Sequence, residues 1–407
     1  MSNRLTRRLR PLLAALLLMA GSTAFAIALM EVALRLLGQG APQLYRADAL
    51  TGYGLQPGAR VRWSQEGESQ VRINRSGYRD RDWSPAPAPG RLRIAVHGDS
   101  FTEALQVPEE DSWVRRLPAA LAAVKPCTLL SGSPAGAETL NFGVGGYGTG
   151  QSWLAWKRDA QPLRPELVLH AVYFENDLRD NLVGGSATAA APTFRLEDGA
   201  LVVDTSFRQR ADHRFRLSPL GRASSWLLAH SRVLQLLKQA RERLQPAAGA
   251  ECPASGCSAF PLGSDGTKLY GPDAADLEAS WPVLEAILER WNREARQAGS
   301  TLVVTSLTTP PQLWPDASER RAQADRHRLD WMRPERRLGA FLAARGIPYL
   351  PLAPALQRQA DTQGLVAHGF TGQRPGPGYG HWNRAGHAAA ASELARQLCA
   401  LSPDAPP

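Results

Sequence analysis

The sequence predicts an α/β protein of three layers, with helices on both faces of a parallel sheet, an apolar transmembrane helix at the N-terminus and an inserted hairpin-and-helix subdomain. Three observations predict it. From residue 92 onward, short apolar runs alternate with stretches of helical periodicity, and repeated β-α units make a parallel sheet covered on both faces. Turn-forming residues close those runs, as in Gly98-Asp99 and Glu175-Asn176. The 20 residues from Pro11 to Met30 carry no charge, which as a helix is about one bilayer thickness.

Composition bounds the classes. The 407 residues are 43% apolar and 21% charged, the balance of a globular chain rather than a disordered one. Net charge is +9, and only Lys125, Lys157, Lys238 and Lys268 among the basic residues are lysines. That arginine skew reflects coding bias more than nucleic-acid binding. No basic stripe interleaved with aromatics is present, so a nucleic-acid partner is not expected. Most of the charge reads as solvated surface; attraction to anionic lipid or glycan stays open.

Residues 1–37 address the membrane. Arg4, Arg7, Arg8 and Arg10 precede the uncharged run, and only Arg35 follows shortly after. This bias predicts a cytoplasmic tail, a single-pass signal anchor and a body on the periplasmic side. The competing reading is a cleaved signal peptide ending at Ala24-Phe25-Ala26. The apolar run continues through Ile27-Ala28-Leu29-Met30 and Val32-Ala33-Leu34, which favours the uncleaved anchor.

Residues 38–90 read as a lead-in. Gly38, Gly40, Pro42, Gly52, Gly54, Pro57 and Gly58 break any long element. Val61, Trp63, Val71 and Ile73 alternate with polar residues, as in a small hairpin, and 84–90 is a Pro-rich extended linker.

The body, 91–402, then alternates. Strand 92–96 leads to a helix at 112–123, strand 139–142 to a helix around 151–160, and strand 167–174 to an insertion at about 183–272. Thr193 to Val203, with Asp198-Gly199 in the middle, signals a hairpin. Leu227, Leu234, Leu237 and Leu244 form one helical stripe. The insertion reads either as a lid over a cleft or as a decorative subdomain. Leu277, Trp281, Leu284, Leu288, Trp291 and Ala295 predict a helix stopped by Gly299. Strands 301–307 and 347–352 and an Ala-rich helix to about Leu401 complete the body. Cys252 and Cys257 read as a small disulfide loop rather than a metal site, since no second Cys or His pair completes one.

Four blocks carry chemistry. Arg93–Thr102 is a buried strand ending in Gly98-Asp99-Ser100, which puts Ser100 at the C-terminal edge of the sheet, where open α/β sheets bind ligands. Asn141–Gly148 follows a second strand, Phe174-Glu175-Asn176-Asp177 closes a third, and His381–His387 opens the last helix. Taken singly, Gly-Asp-Ser is an ordinary turn, Asn176 a capping residue and His381 a surface histidine. In this order, Ser, Gly, Asn and His resemble the SGNH (GDSL-type) hydrolases, over roughly residues 91–400.

The resemblance implies a flavodoxin-like sheet, Ser100 as nucleophile and His381 as its base. It implies an oxyanion hole from the Ser100 amide, the Gly146 amide and the Asn176 side chain. No cofactor or metal is implied. The activity implied is serine-dependent hydrolysis of an ester, an O-acyl group of a cell-envelope glycan or a small ester. The alternatives are an O-acyltransferase using the same Ser/His site and a non-catalytic glycan-binding relative. In such a sheet the first and last helices are neighbours, and Cys127 then pairs with Cys399; otherwise both are buried thiols. His387 reads as structural.

Two positions depart from the family pattern. Phe174 stands where the family has Gly. The acid that precedes the histidine by two or three residues is missing, since Gly378 and Tyr379 hold those slots. The sequence leaves a distant acid, a Ser-His dyad or a dead site, and the reading here is the dyad, with Tyr379 as a neutral acceptor. Gly143 to Gly148 also spells Gly-x-Gly-x-x-Gly, with Glu175 at the end of the next strand. That dinucleotide pattern ranks below the hydrolase, because it lies on the second β-α unit and leaves Ser100 and His381 unexplained. Neither a Gly-x-Ser-x-Gly elbow nor a His-Glu-x-x-His motif is present.

Overall fold

The computed structural model describes residues 2–37, 40, 43–182, 190–244, 260–272, 275–373 and 376–401. Two compact units result: Met1–Leu44 with Ser218–Glu251, and Tyr45–Leu217 with Cys252–Pro407. Cys252 and Cys257 lie outside the described residues.

The larger unit opens with two antiparallel pairs, β1 (Tyr45–Asp48) with β2 (Gly52–Leu55) and β3 (Arg60–Trp63) with β4 (Ser69–Arg72). The second is the hairpin expected from Val61 and Val71, which face each other in register. The central sheet has five parallel strands: β5 (Leu92–His97), β6 (Ala137–Asn141), β7 (Leu167–Val172), β10 (Thr301–Ser306) and β11 (Tyr349–Pro351), in the order β11-β10-β7-β5-β6. Every residue of β5, β6 and β7 is buried, as a sheet covered on both faces requires.

The pleat sends alternate residues to opposite layers. Ile94, Val96, Leu169 and Val303 join the core of α3 (Trp113–Ala123), α14 (Ala353–Gln363) and α15 (Arg384–Cys399). His97 and His170 face the other layer and meet Trp291 of α11 (Trp281–Gln297), which packs beside α4 (Thr149–Ala155). Each fully buried aliphatic side chain contributes roughly 1.5–3 kcal/mol. Gly299, at φ +79°, ends α11 as expected. α9 (Gly263–Tyr270), α10 (Ala275–Glu278), α12 (Ala317–His327) and α13 (Arg333–Ala343) fill the connections.

Because α3 and α15 pack side by side, their ends meet, and Cys127 and Cys399 form a disulfide. Of the two readings open for these cysteines, the structure takes the paired one.

Within the insertion, β8 (Thr193–Glu197) and β9 (Ala200–Asp204) form the expected hairpin, with Asp198 and Gly199 both at positive φ in its turn. Phe194 packs on α4, where Gly150 leaves room: a Cβ there would stand 2.1 Å from the ring. The single leucine stripe is also corrected. Ser231 adopts an extended conformation and splits it into α7 (Pro219–His230) and α8 (Arg232–Leu244), because its hydroxyl accepts the Leu234 N–H at 3.3 Å and starts the second helix. The short α6 (Ala211–Leu217) precedes α7 but belongs to the larger unit.

The smaller unit contains α1 (Ser2–Leu36), α7 and α8. Ala14–Leu36 is long and apolar enough to cross a membrane, a property it shares with a signal sequence.

The lead-in is packed into the sheet unit rather than set apart from it. Arg79 is buried and donates to the carbonyls of Glu103, at 3.0 Å, and Val107. Asp80 accepts the Asn141 N–H at 2.9 Å. These contacts bind Arg79 and Asp80 to the segment that follows β5 and to the end of β6.

Candidate active site

Ser100 begins α2 (Ser100–Glu103), a single turn after β5. Asp99 caps it, accepting the Phe101 N–H at 3.0 Å, and Gly98 passes under the Thr102 side chain, where a Cβ would stand 2.3 Å from Oγ1. The strand thus ends in a tight turn that leaves Ser100 only partly buried. β6 and β7 flank β5 in the sheet. The loop after β6, with Gly146 at φ +76°, and the first turn of α5 (Phe174–Asp180), with Asn176, therefore rise beside Ser100 at the same sheet edge.

His381 comes from the other end of the sequence. Its segment is pinned by a bridge between His368 and Trp382 and by Gly369 N–H to the His381 carbonyl at 2.9 Å. The Asn383 side chain donates to the carbonyls of Val366 and Gly369. Phe101 lies 4.8 Å from the imidazole centroid and backs the ring. His381 Nε2 then lies 2.8 Å from Ser100 Oγ.

The acid position is filled from an unexpected place. Glu66, in the turn between β3 and β4, accepts from His381 Nδ1 at 2.5 Å through Oε2 and from the His381 backbone N–H at 2.6 Å through Oε1. The dyad expectation is thereby corrected. Tyr379 turns its ring edge-on to Trp314, and the carboxylate beside His381 comes from 315 residues upstream. Burial works to raise the Glu66 carboxyl, and the hydrogen bonds and charge of His381 overcome it, holding it below the usual carboxylate range.

The residue just before the last motif block carried the signal that was missed. Gly380 has φ +66°, and a Cβ there would stand 2.1 Å from Glu66 Oε1. Its missing side chain is what lets a carboxylate reach the His381 backbone. The turn that delivers Glu66 is itself held. Trp63 Nε1 donates to the Glu66 carbonyl at 2.9 Å, and Gly67 N–H donates to Gln373 Oε1 at 2.7 Å.

Asn176 donates through Nδ2 to Asp99 at 3.2 Å. Burial pushes the Asp99 carboxyl up to about 6, against the hydrogen bonds it accepts. Phe174 does not crowd this edge, because its ring is buried against Trp281, 5.8 Å between centroids. The glycine loop is closed from beneath. Glu103 accepts the Gly145 N–H at 3.0 Å and the Tyr45 hydroxyl at 3.1 Å, and Tyr53 donates to the Gly145 carbonyl at 3.0 Å. A dinucleotide phosphate would meet a carboxylate on this loop. His387 is buried and accepts the Trp113 N–H at 3.3 Å, a structural role as expected.

Among the described residues, no cluster of His, Cys, Asp or Glu is arranged to hold a metal ion. A cavity of about 450 Å³ adjoins the Glu66 turn, lined by Glu68, Gln106, Phe370, Thr371, Gln373 and Arg384 among others.

No family model matches the chain, and no curated protein matches it. Among solved structures, the chain is similar to an acetylxylan esterase from Geobacillus stearothermophilus at 13% identity, covering 75% of this chain and 94% of that one, with a TM-score of 0.35. It is also similar to an alpha/beta hydrolase enzyme from the metagenome of Lake Arreo, Spain, at 14% identity, covering 76% and 97%, with a TM-score of 0.34.

Proposed function

We propose that the protein is a serine-dependent ester hydrolase of the SGNH type, tethered to the membrane by α1 and acting on O-acyl groups of a cell-envelope glycan. The observation that carries this reading is the continuous chain from Ser100 Oγ to His381 Nε2 and from His381 Nδ1 to Glu66. With the Nδ1 proton directed to the carboxylate, Nε2 is the lone-pair nitrogen and faces the serine hydroxyl.

In this mechanism Ser100 Oγ attacks the ester carbonyl as its proton passes to His381 Nε2. Glu66 keeps its charge and stabilises the imidazolium. The tetrahedral oxyanion is received by the Ser100 amide, the Gly146 amide and the Asn176 side chain. His381 returns the proton to the departing alcohol, and water attacks the acyl-serine by the same base. The non-catalytic reading was motivated by the empty acid slots, and Glu66 removes that motive.

The Cys127–Cys399 disulfide supports an oxidising compartment. The polar groups and the Phe370 ring of the cavity beside the Glu66 turn suit sugar hydroxyls and a sugar face.

Intact-mass analysis after a fluorophosphonate probe tests the reading. A single adduct on the wild-type chain that is absent from Ser100→Ala is expected. No adduct, or one that survives in Ser100→Ala, overturns it. Free acetate released from an acetylated glycan marks hydrolysis; transfer of the acetyl group to a second sugar marks the acyltransferase.

A further inference from the structure

The smaller unit carries an exposed apolar stripe that the proposed reaction does not use. On α7, Leu220, Ala223, Trp226 and Leu227 recur at helical spacing, and Leu220, Trp226 and Leu227 are 75%, 60% and 50% exposed. Leu237 on α8 is 61% exposed. Between Pro219 and Leu244 the sequence carries Arg222, Arg232, Lys238, Arg241 and Arg243 against the single acid Glu242. Aromatic and leucine side chains on one stripe with an excess of arginine around it are the composition of a helix lying in a bilayer interface.

The position of these helices is set by α1. The uncharged run ends at Met30, and its 20 residues rise roughly 30 Å, one hydrocarbon thickness. Glu31 is the next residue. It accepts the N–H groups of Arg232 at 2.9 Å and Val233 at 3.2 Å and the Ser231 hydroxyl at 3.1 Å, so it caps the N-terminus of α8 from outside. Arg35, one turn on, donates to the His230 carbonyl at 2.6 Å, the last residue of α7. The α7–α8 junction is thus fastened to α1 through Glu31 and Arg35, the first charged residues after the uncharged run.

We propose that α7 and α8 lie on the surface of the bilayer that α1 spans, with the Leu220–Trp226–Leu227 stripe and Leu237 in the boundary of head groups and acyl chains and the arginines toward anionic head groups. This rests on the reading of α1 as a membrane span. Tryptophan and leucine are favoured at that depth, and basic residues are attracted to an anionic surface.

Trp226 makes the test direct, since it is the only one of the eleven tryptophans in the smaller unit. The full-length chain is placed in nanodiscs of phosphatidylcholine and phosphatidylglycerol, with and without bromine on the acyl chains, beside Trp226→Phe. The expected result is that brominated lipid removes most of the emission by which the wild type exceeds Trp226→Phe. The double variant Leu220→Glu/Leu227→Glu, with unchanged circular dichroism, should lose that quenching while remaining in the disc. Trp226 emission indifferent to bromine in chains that co-elute with discs overturns the proposal and leaves the α1 reading standing, as when a second copy or another protein covers the stripe. Chains that elute apart from discs overturn both.

Discussion

Glu66 and His381 are 315 residues apart and joined by two hydrogen bonds, one to Nδ1 at 2.5 Å and one to the backbone N–H at 2.6 Å. A carboxylate held at both places orients the imidazole and fixes its tautomer. Glu66→Gln is expected to lower kcat on p-nitrophenyl acetate by about 10³ to 10⁴, the cost of spoiling this role in serine proteases, with KM little changed. Glu66→Asp, one methylene shorter, should recover part of the rate. A Glu66→Gln enzyme turning over at the wild-type rate removes Glu66 from the mechanism.

The converse experiment addresses the slot before the histidine. Tyr379→Asp is expected to leave kcat/KM flat or lower it at both acidic and neutral pH. The role is already filled, and a second carboxylate near Glu66 adds like charge. A gain at either pH would restore the dyad reading.

Gly380 predicts its own variant. A methyl group at φ +66° and 2.1 Å from Glu66 Oε1 cannot be accommodated without moving the carboxylate. Gly380→Ala should cost about 1–3 kcal/mol of stability and lower kcat together with the melting temperature. An unchanged kcat would show that the close approach of Glu66 has no part in turnover.

Ser100→Ala and His381→Ala should each abolish esterase turnover, and the double variant should be no worse than either, because residues acting as one unit are non-additive. Losses that multiply would separate the two residues.

Two carboxyls predict opposite pH effects on stability. Burial pushes Glu103 up to about 7, against the Tyr45 hydrogen bond and the Arg79 charge. The folded state therefore holds a proton that the unfolded chain has already lost, so its stability is complete at low pH and falls as pH rises through 7. Glu103→Gln should abolish that fall, and its melting temperature should gain on the wild type between about pH 5 and pH 8. Glu66 is held low, so its contribution is present at neutral pH and lost as pH falls through its folded value. The deficit of Glu66→Gln should shrink in acid. Melting curves across pH for both variants check the two signs.

A reporter fused after Pro407 that requires an oxidising compartment should be active, and high-salt washing should not release the chain from membranes. Release of a species lacking residues 1–26 would identify Ala24-Phe25-Ala26 as a cleavage site.

Most of the sheet was legible because its signals are local. Buried parallel strands are apolar runs, and helices repeat every three or four residues. Asp198-Gly199 demands its turn, and Gly299 ends α11. Legibility failed where a local pattern had two physical outcomes. The leucines from 227 to 244 keep helical spacing across Ser231, yet its hydroxyl starts a new helix there. The hairpin expected at Val61 and Val71 was present, but what its turn carries depended on what that turn packs against.

By itself the sequence determined the alternation of strands and helices, the sheet edge on which Ser100 stands, the apolar N-terminal helix and the block that carries His381. Each is written within a dozen or so neighbouring residues. Only the tertiary structure decided which carboxylate meets His381, whether Cys127 meets Cys399 and what lies under the glycine loop. Those are questions of distance between parts of the chain hundreds of residues apart. A charge or a thiol finds its partner through space, and Glu66, Glu68 and Glu103 look alike until the fold brings one of them to the imidazole.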